Sequence, residues 1–320
     1  MPTPRPTAEV RRDLLEELTH SIRAHLLERG ESPPSSWVEE SANDLASGRT
    51  RGWYLTGPDG AGTGLGFYST RPTAAFGHVH VEPGEEAVQE AFALVQAIRQ
   101  DLPPNIASLD IGFTGLDSQG ESALAALLHH PPERTMMKRW AMERAIVPED
   151  MAPIGNAPEG IRMYPIRSLP RDALVELDFR AFQNTIDALL IGTDRTEYAR
   201  MLGELIEGRL GRFLDDASTS LVDAATGELE AALLTSEQTP RMAVYLDVMV
   251  EPSHRRRGLG RYLVRWGFRA LAALGYSTVR LWVTSENEPA RALYRTTGFR
   301  DVSSAMIYRE ARSVGQAHSG

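Results

Sequence analysis

The sequence predicts an α/β protein built from two tandem copies of one unit. Three observations point there. Strand-like and helix-like segments alternate along the chain. The order of segments in the first half returns in the second, with short matching strings at corresponding places. A stretch rich in Pro, Gly and polar residues, 148–160, divides the chain almost in half.

In the first half, strands are read at Gly64–Thr70, His78–Val81 and Ala107–Phe113, with a helix inside Pro83–Pro103 and a terminal strand at Met136–Arg144. The second half repeats this with strands at Leu229–Thr235, Val244–Val250 and Thr278–Thr284. Its first helix, within Gly258–Leu274, carries apolar residues at Leu259, Leu263, Trp266, Ala270, Leu271 and Leu274. Its second is opened by Asn287 in the N-cap position, has Pro289 in the first turn and stops at Gly298. The last strand is Ala305–Arg309.

The string His78-Val79-His80-Val81-Glu82-Pro83 aligns with Asp247-Val248-Met249-Val250-Glu251-Pro252, and Leu109–Thr114 echoes Val279–Thr284. Domains are therefore expected at 1–147 and 161–312, joined by a linker at 148–160. The small polar residues 313–320 are expected to form a disordered tail.

Composition narrows the function. Apolar content of 42% and charged content of 24% over 320 residues are those of a globular chain whose core is not limited by size. A net charge of −9 disfavours nucleic acid and anionic membranes as partners. No run is apolar enough to span a bilayer and no signal-peptide core follows Met1, so a cytoplasmic protein is expected. The absence of cysteine excludes disulfides, thiolate metal sites and a cysteine nucleophile, and no metal site is expected.

The chemistry is concentrated at residues 248–261. The apolar strand Val248-Met249-Val250 runs into Arg255, Arg256 and Arg257, then Gly258-Leu259-Gly260 and Arg261, where a helix begins. Unpaired N–H groups and the helix dipole favour an anion at such a helix start. Glycines let a phosphate approach the main chain, and arginines add charged donors. The pattern fits a diphosphate, a small polyanion that an acidic protein can still attract. The first half has Glu86-Ala87-Val88-Gln89-Glu90-Ala91 at the same place, with two carboxylates and no glycine. That half is expected to keep the fold without the anion site.

Strand, Arg-x-x-Gly-x-Gly, helix, strand and Asn287-x-x-Ala-x-x-Leu-Tyr-x-x-x-Gly-Phe299 together resemble the GCN5-related N-acetyltransferase (GNAT) superfamily. The resemblance covers residues 160–310; the first half resembles the family only in its order of elements. It implies two tandem GNAT-like domains, each a mixed, mostly antiparallel sheet flanked by helices. It also implies acetyl-CoA as co-substrate and a primary amine of a small molecule or peptide as acceptor, in a monomer or a homodimer.

By this resemblance, the strand ending at Val248, Met249 and Val250 splays from its neighbour at a bulge and pairs with the pantetheine arm. Arg255 to Arg261 hold the pyrophosphate, and Asn287 hydrogen-bonds the cofactor arm. Tyr294 is the candidate general acid for the leaving thiolate, with an N–H at Met249 or Val250 facing the oxyanion. Asp247 is the first candidate for the general base, with Glu286 and Glu288 beside the cofactor helix. Each has a plain structural reading beside it: Tyr294 as a core ring, Asp247 as a satisfied carboxylate. Acceptor specificity would lie near Leu169–Leu210, which holds Asp178, Asp187, Asp194 and several glutamates. An acyl-CoA-responsive regulatory module with little turnover is the alternative to an enzyme.

Overall fold

The computed structural model describes residues 3–29, 36–70, 74–130, 134–155, 157–188, 195–209 and 211–312. The expected tail at 313–320, and Asp194, lie outside these. In chain order, the first part forms β1 (Arg5–Pro6), α1 (Arg12–Glu28), α2 (Trp37–Ala46), β2 (Arg51–Thr56), β3 (Gly62–Thr70), β4 (Ala74–Val81), α3 (Ala87–Asp101), β5 (Ser108–Thr114), α4 (Ser118–Leu128) and β6 (Arg134–Ala145). There follow β7 (Ile161–Pro165), α5 (Arg171–Phe182), α6 (Arg195–Ile206), β8 (Arg212–Phe213), β9 (Thr219–Asp223), β10 (Leu229–Thr239), β11 (Met242–Val250), α7 (Leu259–Ala273), β12 (Thr278–Thr284), α8 (Glu288–Thr296) and β13 (Arg300–Ala311).

The chain divides into two compact units: Met1–Arg139 with Ser303–Gly320, and Trp140–Val302. This division differs from the expected 1–147 and 161–312 at both ends. The 148–160 stretch belongs to the second unit, where Asp150 binds the Arg144 guanidinium at 2.8 Å and accepts from Val147 N at 2.9 Å. The C-terminal strand belongs to the first unit. There β13 pairs antiparallel with β5, from Ile307↔Gly112 to Ala311↔Ser108. Met306 and Tyr308 sink into the first unit's core, and Arg309 reaches Asp110 at 2.7 Å. Residues 140–145 of β6 in turn serve the second unit, placing Met142 in its core and Glu143 against Arg280.

In the first unit the sheet order is β1-β2-β3-β4-β5-β13, antiparallel except for the parallel pair β4–β5. Period-two alternation sends Tyr54 and Leu65 to one face, under Leu15, Leu18 and Ile22 of α1 and Leu45 of α2. Leu55, Val79 and Val81 go to the other, under Leu94 and Ile98 of α3 and Leu124 of α4.

The second unit repeats the plan with β12-β11-β10-β9-β7, residues 140–145 beside β12, and β8 on β10. Helices α7 and α8 cover one face, and α5 and α6 the other. The buried stripe of α7 is Leu259, Leu263, Val264, Gly267, Phe268 and Leu271, each Leu or Phe contributing ~1.5–3 kcal/mol on burial. Leu274, expected on that stripe, is instead 43% exposed, one residue beyond the helix end.

One difference between the units bears on function. In the first, β4 and β5 stay paired from Ala74↔Ser108 through His80↔Thr114. In the second, β11 and β12 pair only at Met242↔Thr278, Ala243↔Val279 and Val244↔Arg280. Beyond Val244 they have no registered pair among the described residues.

Candidate active site

The parting of β11 begins at a bulge. Its register with β10 slips between Leu234↔Asp247 and Thr235↔Tyr245, leaving Leu246 as the extra residue. A one-residue insertion exchanges the two faces of a strand. Ala243 and Tyr245 lie in the core under α7, whereas Leu246 and Met249 pack on the side of α5 and α6. Asp247 is turned the same way and meets Asp178 of α5. Val248 and Val250 pack on the α7 side. Along this stretch β11 keeps β10 on one edge only, so alternate main-chain groups face the opening.

At the end of β11 the chain turns through Pro252–His254 into the arginine run. Arg256 has φ 63° and Gly258 φ 87°. Left-handed residues two apart curl the main chain so that N–H groups converge, a shape that suits an anion. The first helical bond of α7 runs from Tyr262 N to Gly258 O at 2.9 Å. The N–H groups of Arg256 through Arg261 engage no acceptor among the described residues. Gly260 lies under α8: a Cβ there would sit 3.2 Å from Leu293.

The arginines divide by role. Arg255 donates to Ala181 O at 2.5 Å and to Val250 O at 3.4 Å, strapping the loop to the end of α5. Arg257 pairs at 3.3 Å with Glu230, a β10 carboxylate only 2% exposed that also lies 3.3 Å from His254. Arg256 and Arg261 are exposed and form no ion pair among the described residues. The sequence pattern treats the run as equal rim donors; two of the four are struts.

Asn287 caps α8 by accepting from Ala290 N at 3.2 Å, while its Nδ2 donates to Asp187 at 2.6 Å. Thr284 donates to the other oxygen of Asp187. Tyr294 is 8% exposed, with its ring edge-on to Phe299 at 5.7 Å. Of the other expected bases, Glu286 is exposed, and Glu288 is a surface residue paired with Arg291 at 3.0 Å.

Asp178 and Asp187 lie in the segment expected to set acceptor specificity, whereas Tyr198 carried no expectation; all three gather behind Asp247. Asp178 and Tyr198 are 0% exposed, Asp247 8% and Asp187 9%. Neither oxygen of Asp178 nor the Tyr198 hydroxyl has a well-directed hydrogen-bond partner. The Asp247 and Asp178 carboxyls nonetheless influence each other's ionisation. Burial lifts the Asp178 carboxyl to about 7. Burial first, then the charges of Asp178 and Asp187, hold Asp247 well above the usual range, against a hydrogen bond from Val248 N–H. A signal existed: Asp178 stands at i+4 from Leu174 and three before Ala181, on the apolar stripe of α5.

Residues 179–299 match the Acetyltransferase (GNAT) family. This segment belongs to that family. It runs from α5 to Phe299 and contains the bulge, the arginine–glycine loop and α8. A mycothiol acetyltransferase from Clavibacter sepedonicus is 30% identical over 193 residues, 57% of this chain and 60% of that protein. The chain thus matches about three fifths of that relative's length. Two solved structures share the fold nearly end to end. A GCN5-related N-acetyltransferase from Sphaerobacter thermophilus has TM-score 0.62 at 20% identity, covering 97% of this chain and 95% of that one. A tandem GNAT protein from the clavulanic acid biosynthesis pathway has TM-score 0.55 at 18% identity, covering 97% of each. The tandem GNAT fold therefore extends through both units. No helix among the described residues is long and apolar enough to cross a membrane.

Proposed function

We propose that the chain is an acetyl-CoA-dependent N-acetyltransferase whose chemistry belongs to the second unit. The observation that carries this is the parting of β11 from β12 after Val244, beside a helix start whose N–H groups are uncommitted. The main chain of Val248–Val250 takes the pantetheine arm as an added strand. The N–H groups around Arg256, Arg257, Gly258, Leu259 and Gly260 hold the diphosphate, with Arg256 and Arg261 as charged donors and Arg255 and Arg257 holding the loop's shape. Asn287, already bonded to Asp187 and to its own helix, keeps one N–H for the cofactor arm.

The acceptor is a primary amine of a small molecule or peptide. Its nitrogen attacks the thioester carbon directly, since the chain has no cysteine to carry the acetyl group. Asp247 takes a proton from the amine, and Tyr294 protonates the leaving thiolate. A main-chain N–H at Met249 or Val250 faces the oxyanion. The match to the GNAT family and the relative's name support acetyl transfer.

The first unit, in this reading, has kept the fold and lost the cofactor. Its β4–β5 pairing is closed along its length, and Glu86 and Glu90 replace the arginine–glycine loop. Calorimetric titration with acetyl-CoA tests the whole proposal. One saturable site, abolished by Gly260→Asp, is expected. Two sites would refute the loss in the first unit, and no binding would refute the acetyl-CoA reading.

A further inference from the structure

We propose that Asp187 is a positioning residue for the cofactor site. Its carboxylate staples the turn between β12 and α8 and sets which way the Asn287 amide points. This rests on the acetyl-CoA reading and adds the residue that aims the amide at the pantetheine arm.

The turn is short. Asn287 N donates to Thr284 O at 3.0 Å, closing four residues between the last residue of β12 and the cap of α8. Thr284 is 0% exposed and stands beyond the last registered pair of β12 with β11 among the described residues. From α8, Arg291 donates to Ser285 O at 3.2 Å. The carboxylate of Asp187 spans the turn. One oxygen accepts from the Thr284 hydroxyl and the other from Asn287 Nδ2 at 2.6 Å. Asp187 is 9% exposed. A buried carboxylate needs donors, and these two side chains supply them.

The chemistry of the partner fixes the amide. A carboxylate only accepts, so Asn287 must turn Nδ2 toward Asp187. Its Oδ1 then accepts from Ala290 N at 3.2 Å, the bond that caps α8. Both ends of the amide are thereby assigned, and Nδ2 retains a second N–H for a carbonyl of the cofactor arm. Without the carboxylate, the cap bond alone leaves the amide free to swing about Oδ1.

Asp187 reaches the turn because of how the chain leaves α5. Thr185 N donates to Phe182 O at 2.8 Å and Ala188 N to Thr185 O at 3.2 Å, coiling residues 182–188 into successive turns. Just before them, Ala181 O accepts from Arg255 at 2.5 Å. The end of α5 therefore meets the cofactor site twice. Arg255 joins it to the diphosphate loop, and Asp187 joins it to the amide for the pantetheine arm. Both Ala181 and Asp187 lie in the segment expected to set acceptor specificity; the geometry gives this part of it a cofactor role.

The sign of the effect separates two roles. Acetyl-CoA is anionic, and a nearby carboxylate repels it. If Asp187 acted by charge alone, its removal would tighten binding. A positioning role requires the opposite.

Acetyl-CoA binding to the full-length protein is measured by calorimetry for Asp187→Ala, Asp187→Asn, Asn287→Ser and the double variant of Asp187→Ala with Asn287→Ser. Serine keeps a cap for α8 and loses the amide. Asparagine at 187 keeps an oxygen for Asn287 Nδ2 and an N–H that the Thr284 hydroxyl accepts. Asp187→Leu, which fills the space without an acceptor, replaces the alanine variant if that one does not fold. Asp187→Ala is expected to weaken binding about tenfold, and Asp187→Asn to retain most of the affinity. In the Asn287→Ser background, Asp187→Ala should weaken binding no further, because the carboxylate works through the amide. Unchanged or tighter binding by Asp187→Ala would overturn the proposal, as would an equal loss in both backgrounds or an asparagine variant as weak as the alanine one. No binding by the unsubstituted protein would instead sink the acetyl-CoA reading itself, so the two failures are distinct.

Discussion

At the scale of single residues, the arginine run shows that composition and role are different things. Arg257 holds a buried carboxylate, whereas Arg256 faces solvent in a left-handed conformation. Arg257→Ala leaves Glu230 with His254 as its one basic neighbour among the described residues. Removing one partner of a buried, charged hydrogen bond costs ~1–3 kcal/mol, so a lowered unfolding midpoint is expected. Arg256→Ala should leave that midpoint unchanged and weaken acetyl-CoA binding, less so as salt is raised. Equal effects of the two substitutions on thermal unfolding and calorimetry would contradict the division into strut and donor. Tyr294 allows a sharper cut. Its ring packs on Phe299, and phenylalanine preserves that contact, so Tyr294→Phe isolates the hydroxyl. If the hydroxyl is the acid, kcat falls by about 10²-fold or more with acetyl-CoA affinity intact. Unchanged turnover would reduce Tyr294 to a core ring.

At the scale of elements, the two halves solved the same strand junction in opposite ways. In the first unit, Thr114 at the end of β5 bonds His78 and His80 of β4, both at 2.9 Å. Just beyond, Gly115 has φ 89°, and a Cβ there would lie 1.7 Å from Val81 O. Only glycine permits that approach, and it draws the strands together where β11 and β12 separate. Burial first, and then the nearby charge of His80, pushes His78 down to about 3. A histidine held neutral by the fold lends stability that is complete above its unfolded value near 6.5. That stability is lost progressively as pH falls below this value, because the unfolded chain then binds the proton and the native one does not. The protection factors of amides in the 74–114 segment, which take out the intrinsic pH dependence of exchange, should therefore fall between pH 6.5 and 5, and His78→Asn should flatten that dependence. A pH response identical in the variant would place its source elsewhere. The sequence showed these strands, their shared Val-Glu-Pro and the missing arginine–glycine loop. The splay of β11 at a bulge comes from the family resemblance and not from alternation, which does not record where β10 and β11 slip register; nothing in the sequence showed that the β4–β5 junction is closed. Asp178 was obscured for a similar reason: a carboxylate on an apolar stripe gains meaning only once Asp247 is turned to face it.

At the scale of the whole chain, sequence order and unit membership part company at the last strand. Met136–Arg144 and Ala305–Arg309 read as equivalent terminal strands, and locally they are. Which sheet each joins is a long-range choice that alternation does not encode. The first unit takes β13 because Met306 and Tyr308 complete its core. Its rim is then tied by Arg309 to Asp110 at 2.7 Å and by Arg99 to Glu310 at 2.5 Å. A chain ending at Val302 would lose that strand, expose the edge of β5 and leave Asp110 buried without its arginine. Burial already holds Asp110 up at about 6 against the pull of Arg309. Two core side chains at ~1.5–3 kcal/mol each are a large part of a marginal domain's stability. The truncation is therefore expected to accelerate hydrogen exchange in α3, β4 and β5 far more than in α7, β10 and β11. Both units failing together would mean that they unfold as one. Loss confined to the second would mean that its final strand, too, follows the order of the chain. Acetyl-CoA binding by the truncated protein is the functional half of the same experiment. The bulge, the arginine–glycine loop and α8 all precede Val302, so a cofactor site built from them should survive the loss of β13.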